Sequence, residues 1–448
     1  MSADPRTGSD AALDRFRALL RIPTISRNDV ERTDWDAFDR FLAELPRLYP
    51  ALHDVLECER FDRSLLYRWP GRGEAAPTVL MAHYDVVPAT DEGWDHPPFG
   101  AVTTGADGGA VLWGRGTLDD KGALVAILEA VETLARDGFA PAGDVYLSFG
   151  HDEETVGSGA RRIAEALRER GVRPALVVDE GGAVVEGVFP GVAQPIAVVG
   201  VSEKGSMTLR LTVEQQGGHA SMPPRLTAPV CLARAITRLN GRPFPARLGD
   251  AGIRMVEMLG AHTSGPLRAA FTRAHLLRPV LAAVFSRLSD ETRAMVRTTA
   301  AVTQLRGGLA ANALAETVEA VVNVRIAVGS SVAEATAHVR RAIRDPLVRI
   351  AVIDPHEPSP VSPSRGPAWE RVEHAVAAAH PRAVVAPYVM LGASDGRHFT
   401  ALSPAVYRFT PFEMSAEERG SLHARNERIR VATWLGGIAF YTHLLRSS

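Results

Sequence analysis

Short apolar runs of strand length recur along the first half of the chain, and each of four apolar stretches adjoins a polar cluster. Residues 76–82 are too few for a helix and run into His83-Tyr84-Asp85-Val86-Val87-Pro88, which puts His83 at a strand's carboxyl end. In Gly114-Arg115-Gly116-Thr117-Leu118-Asp119-Asp120-Lys121-Gly122 the order is reversed, because Leu124, Val125, Leu128, Val131 and Leu134 follow at helical spacing. Asp119 and Asp120 therefore lie where a loop enters a helix, a position at which an isolated Asp commonly serves as a cap. Residues 144–150 alternate like a half-buried strand and lead to His151-Asp152-Glu153-Glu154. Residues 174–178 read as a buried strand that ends at Asp179-Glu180-Gly181-Gly182.

From about Val201 the pattern changes. Residues 206–213 alternate as a strand with one solvated face, 318–326 form another strand, and 332–343 form a helix. The proline-rich passage 354–363 marks a return to the first region. The pattern predicts a discontinuous domain, 1–200 with 357–448, interrupted by an inserted one, 201–356. Between Phe244 and Thr299, Leu276, Leu277, Val280, Leu281, Val284, Phe285 and Leu288 recur at helical spacing. They read as a helix packing on its neighbours or as a wall for an acyl chain.

In open α/β sheets, side chains at the carboxyl ends of strands converge on one crevice. At least three carboxylates and an imidazole gathered there repel one another unless cations neutralise them. Such ligands suit zinc or its first-row neighbours.

The strings HYDVVP, GRGTLDDKG, HDEETVGSGA, VVDEGG, VSEKGS, GGHAS and SLHARNERI resemble, in order and from about residue 10 onward, the di-zinc metallopeptidase family of aminoacylase, succinyl-diaminopimelate desuccinylase and glutamate carboxypeptidase. Within it they are most similar to the branch of carboxypeptidase S and the N-fatty-acyl-amino-acid synthase/hydrolase. The resemblance implies an α/β fold: a phosphorylase/hydrolase-like di-zinc peptidase domain with a mixed sheet flanked by helices, plus an inserted α+β lid that also serves dimerisation. It implies two zinc ions per subunit, replaceable by Co2+ or Mn2+, with His83 on one, Asp119 bridging both, and Glu154 and His423 on the second. The remaining ligand is Asp179 or Glu180, since family members differ at this turn. Asp85 would orient the His83 imidazole and Glu153 would act as general base. In the lid, His219 would polarise the scissile carbonyl, often across a dimer, while Asn312 and Arg325 would hold the substrate's carboxylate. One departure stands out: Ser394 and Gly396 occupy a stretch that commonly reads Thr-Asp-Ser-Arg in the family.

The implied activity is hydrolysis of N-acyl amino acids or short peptides with a free C-terminal carboxylate, or the synthase/hydrolase reaction in both directions. A non-catalytic metal-binding scaffold is the competing class, and retention of every ligand together with Glu153 argues against it. A nucleotide site does not fit, because Gly114–Asp119 lacks the third glycine of a dinucleotide loop and the Lys-Ser/Thr ending of a phosphate loop.

Composition narrows the picture further. Fifty basic and 52 acidic side chains give a net charge of -2, which favours neither nucleic acid nor a charged membrane surface. Cys58 and Cys231 fall in different predicted domains, against a disulfide framework. The N-terminal residues lack an apolar signal core and no run approaches a membrane span, so a cytoplasmic location is expected, while the resemblance implies a small-molecule substrate.

Overall fold

The computed structural model describes residues 5–106, 109–187, 189 and 191–447. It divides into two compact units, one of Met1–Val201, Ser362–Tyr388 and Ser394–Ser448, the other of Ser202–Val361 and Val389–Ala393.

The strands are β1 (Glu57–Phe61), β2 (Ser64–Trp69), β3 (Ala75–His83), β4 (Val102–Thr104), β5 (Val111–Trp113), β6 (Gly143–Gly150), β7 (Leu176–Val185), β8 (Ile196–Glu203), β9 (Gly205–Glu214), β10 (Thr299–Gly307), β11 (Thr317–Ile326), β12 (Arg349–His356), β13 (Val384–Met390), β14 (Val406–Met414) and β15 (Arg428–Arg430). The large sheet runs β1-β2-β6-β3-β7-β14-β8-β13. Its centre is parallel, through the pairs β6–β3, β3–β7 and β7–β14, and β2–β6 and β14–β8 are antiparallel.

A parallel strand covered on both faces needs apolar residues at consecutive positions, which is why Val79, Leu80, Met81 and Ala82 are all buried. Each fully buried Val or Leu of this kind contributes about 1.5–3 kcal/mol. The helix Lys121–Arg136 is apolar nearly all round because it too is enclosed, and its Glu129 carboxylate is met by Arg15 (Nε···Oε1 2.7 Å).

The acidic pair after residues 174–178 departs from the sequence reading. Asp179-Glu180 does not end a strand; β7 continues to Val185, and its register against β14 slips where Asp179 pairs with Arg408 and Gly182 pairs with Phe409. The pair sits at a β-bulge, a device that re-aims side chains. Gly181 supplies the required φ of +135°, and a Cβ on Gly182 would meet Val198 O at 1.9 Å.

The second unit has the antiparallel sheet β10-β11-β9-β12. Alternate β11 residues Val318, Ala320, Val322, Val324 and Ile326 are buried in a core shared with the helices Ala228–Asn240 and Val332–Ile343. The apolar run after Phe244 forms helices, including Arg278–Leu288, which buries Leu281, Ala282 and Phe285. Cys58 and Cys231 are both free thiols. Among the described residues no helix is long and apolar enough to cross a membrane.

Candidate metal centre

His83 closes β3 opposite Gly150 of β6, so the parallel register brings the imidazole beside the turn that carries Glu153 and Glu154. Asp85 ties these pieces together. Its backbone oxygen lies 3.0 Å from His83 Nδ1, and its carboxylate accepts the N–H groups of Glu153 and Glu154, each at 3.2 Å. Two hydrogen bonds to one fully buried carboxylate fix the turn's orientation, and a carboxylate oxygen 3.3 Å from Nδ1 leaves Nε2 of His83 pointing inward.

Asp119 occupies the middle. Its Oδ1 lies 3.0 Å from His83 Nε2 and its Oδ2 lies 2.8 Å from His423 Nε2. Glu154 Oε2 lies 3.2 Å from the same His423 nitrogen, and Glu180 Oε2 lies 3.7 Å from His83 Nε2. Ligand atoms of His83, Asp119 and Glu154 come within 4.8 Å of one another, as do those of His83, Glu153 and Glu180. Neither Asp119 nor Asp120 caps the following helix through its side chain; Asp120 instead accepts the His83 N–H at 3.2 Å.

The bulge separates the two acids of β7. Glu180 faces His83, whereas Asp179 Oδ2 accepts the Gly396 N–H at 2.5 Å. A Cβ on Gly396 would lie 2.9 Å from that oxygen, so glycine, where the family stretch commonly carries a hydroxyl residue, allows this close approach.

Crowding sets the electrostatics. Burial, and after it the neighbouring Asp119, pushes the Glu180 carboxyl up to about 8. Burial and then Glu180 push Glu153 well above the ordinary carboxyl range. Hydrogen bonds to Asp119 and Glu154 raise His423 to about 10. Burial opposes a charge on His83, yet Asp119, Asp85 and Glu180 together hold its pKa well above that of a free imidazole. Such a cluster must bind protons or cations. It fits metal ions: the donors are carboxylate and imidazole, and Glu154 Oε1 is buried with no hydrogen-bond partner among the described residues.

Three contributors were not singled out from sequence. Glu427 is fully buried; Oε1 accepts the N–H groups of Gly116 (3.0 Å), Leu118 (2.8 Å) and Asp119 (3.3 Å), while Oε2 takes Arg115 Nη1 at 2.5 Å. It thereby shapes the loop that presents Asp119 from the same segment that carries His423. Lys121 is buried, with Nζ donating to Ile22 O at 2.6 Å, and burial lowers its pKa to about 7. Asp395 is buried near the cluster, and burial followed by Asp179 raises its pKa to about 8. The only signal for these residues was their place within or next to the quoted strings.

His219, Asn312 and Arg325 belong to the second unit. His219 and Ala313 form an isolated β-bridge, and Ala220 N–H donates to Asn312 O at 3.0 Å, so these two segments are neighbours. Arg325 lies on β11 opposite Ser206 of β9. His219 is exposed, its Nδ1 accepting the Ser221 N–H at 3.1 Å.

A mixed sheet that delivers carboxylates and imidazoles to one point defines a metal-dependent hydrolase. The chain belongs to peptidase family M20/M25/M40, whose model matches residues 79–447. Over 450 aligned residues it is 36% identical to an N-fatty-acyl-amino acid synthase/hydrolase of Xenopus tropicalis, covering 97% of this chain and 85% of that protein. It is 30% identical to carboxypeptidase S of Saccharomyces cerevisiae, covering 96% and 83%. An M20 family metallo-carboxypeptidase from Sulfolobus solfataricus shares the fold with a TM-score of 0.71 at 15% identity, covering 97% of this chain and 98% of that one.

Proposed function

We propose that the protein hydrolyses the amide bond of N-acyl amino acids, or of short peptides with a free C-terminal carboxylate, at a pair of zinc ions. The observation that carries this reading is Asp119, whose two oxygens face two different imidazoles. His83 and Glu180 would complete one ion's protein ligands and Glu154 and His423 the other's, with Asp179 released to hold Gly396. Bound there, divalent ions supply Lewis-acid polarisation of a carbonyl and lower the pKa of water toward neutrality. Glu153 takes the proton of the attacking water and returns it to the leaving amine. Asp85 orients both His83 and the Glu153 turn. His219 stabilises the oxyanion from the lid, and Asn312 and Arg325 grip the substrate carboxylate, a task suited to a guanidinium fork. Dimerisation through the lid would let His219 serve the partner's site.

The names of the curated relatives support this substrate class, spanning carboxypeptidase S and an N-fatty-acyl-amino acid synthase/hydrolase. The latter favours long-chain acyl groups and a reaction that runs in both directions, since synthesis and hydrolysis share a transition state. The test is a hydrolysis screen of N-acetyl, N-lauroyl and N-oleoyl amino acids and of dipeptides, with and without added zinc. Zinc-dependent turnover is expected, with oleoyl and lauroyl conjugates ahead of acetyl. Equal or better turnover of acetyl conjugates contradicts the long-chain reading, and no turnover of any of these amides contradicts the proposal.

A further inference from the structure

The helix Arg278–Leu288 is apolar on two faces, and only one of them is covered. Val280, Val284 and Leu288 are 59%, 49% and 56% exposed. They recur every fourth residue, so they form one stripe along the helix. Leu276, just before the helix, is 68% exposed. The stripe that the sequence offered as an acyl wall thus faces solvent in part. Exposed aliphatics scattered singly need no explanation, but a row on one helix face marks an interaction surface.

Charge identifies what would cover it. From Gly265 to Ser289 the chain carries Arg268, Arg273, Arg278 and Arg287 and no Asp or Glu. Arg278 pairs with Asp250 of a neighbouring helix. Arg268, Arg273 and Arg287 are exposed, and none of them forms an ion pair among the described residues. Arg287 lies between Val284 and Leu288, on the stripe itself. Asp290, which follows the helix, pairs with Arg293. A second copy docking on this face would set arginine against arginine. The phosphate layer of an anionic bilayer is complementary, because guanidinium groups bind phosphate while the aliphatic row enters the boundary below.

We propose that this face seats the protein on an anionic lipid surface, with Val280, Val284 and Leu288 reaching the acyl boundary and Arg268, Arg273 and Arg287 meeting lipid phosphates. The inference is independent of which amide the metal centre cleaves.

The test is flotation of the full chain with vesicles of phosphatidylcholine alone and of phosphatidylcholine mixed with phosphatidylglycerol. Binding is expected to the mixed vesicles only, and to fade as salt is raised. The triple variant Arg268→Gln/Arg273→Gln/Arg287→Gln should bind about a hundredfold more weakly, at roughly fivefold per basic residue. Val280→Ser/Val284→Ser/Leu288→Ser should lose at least as much, and the single Leu276→Ser, outside the helix, about threefold to tenfold. Thermal melts matching the wild type establish that the variants are folded. Failure of the wild type to float with mixed vesicles overturns the proposal, as does unchanged binding by the folded arginine variant or by Leu276→Ser. Light scattering that shows a dimer in the wild type and a monomer in the Val280/Val284/Leu288 variant also overturns it, by assigning the face to a second copy.

Discussion

His83 and His423 face opposite oxygens of one carboxylate, that of Asp119, although the three residues come from a strand end, a loop before a helix and a turn near the C-terminus. His423 holds this position with a φ of +57°, a left-handed conformation uncommon for a non-glycine residue. A carboxylate shared between two imidazoles is an arrangement that would suit a pair of cations.

If Glu153 is the base, Glu153→Gln should keep its metal and lose kcat by about 10²–10⁴-fold, because in that role the residue moves a proton rather than holding an ion. Asp119→Ala should lose the metal itself. Elemental analysis beside steady-state kinetics separates the two outcomes. Near-normal kcat in the Glu153 variant removes it from the base role.

The loop that presents Asp119 should depend on Glu427. Removing one partner of a buried pair leaves the other charge uncompensated, so Glu427→Ala should destabilise the protein by about 3–5 kcal/mol through the stranded Arg115. Glu427→Gln keeps the shape and should lose less. Denaturant unfolding of both variants checks this, and a loss below about 1 kcal/mol in Glu427→Ala contradicts the account.

How much of this was legible beforehand depends on the residue. The buried strand leading to His83 and the alternation of β11 follow from local pattern, whereas the fold class came from the family resemblance. The aim of Glu180 did not, because a bulge made by Gly181 and its neighbours depends on how β7 pairs with β14 and β8, and no periodicity encodes that. Glu427 was hidden for a similar reason: its partners are backbone N–H groups of a loop far away in sequence, and backbone donors have no residue identity to read. The exposed half of Arg278–Leu288 reads like its buried half, since apolar spacing does not say which face finds a neighbour.

Lys204 gives a test by pH that uses none of the metal-centre residues. It is buried, with Nζ donating to Arg297 O at 2.8 Å, and burial lowers its pKa from 10.5 to about 8. Below pH 8 both folded and unfolded chains carry this proton. Between about 8 and 10.5 the folded chain releases it while the unfolded chain keeps it, so this group makes stability rise with pH in that window, by up to about 3 kcal/mol. Lys204→Met should remove the rise, measured as the difference between wild-type and variant unfolding free energies across the window. A pH-independent difference contradicts it.

Should His219 complete the partner's site, mixing inactive Glu153→Ala and His219→Ala subunits restores activity. Random reassortment into dimers with one intact site in each mixed pair gives roughly a quarter of the wild-type rate. Mixtures as inactive as their components contradict a site shared across subunits.

Anomalous diffraction at the zinc edge from crystals grown with zinc tests most directly whether a pair of ions straddles Asp119. Two peaks are expected on either side of the Asp119 carboxylate, one against His83 and Glu180 and the other against Glu154 and His423. A single peak, or zinc bound away from Asp119, contradicts this expectation.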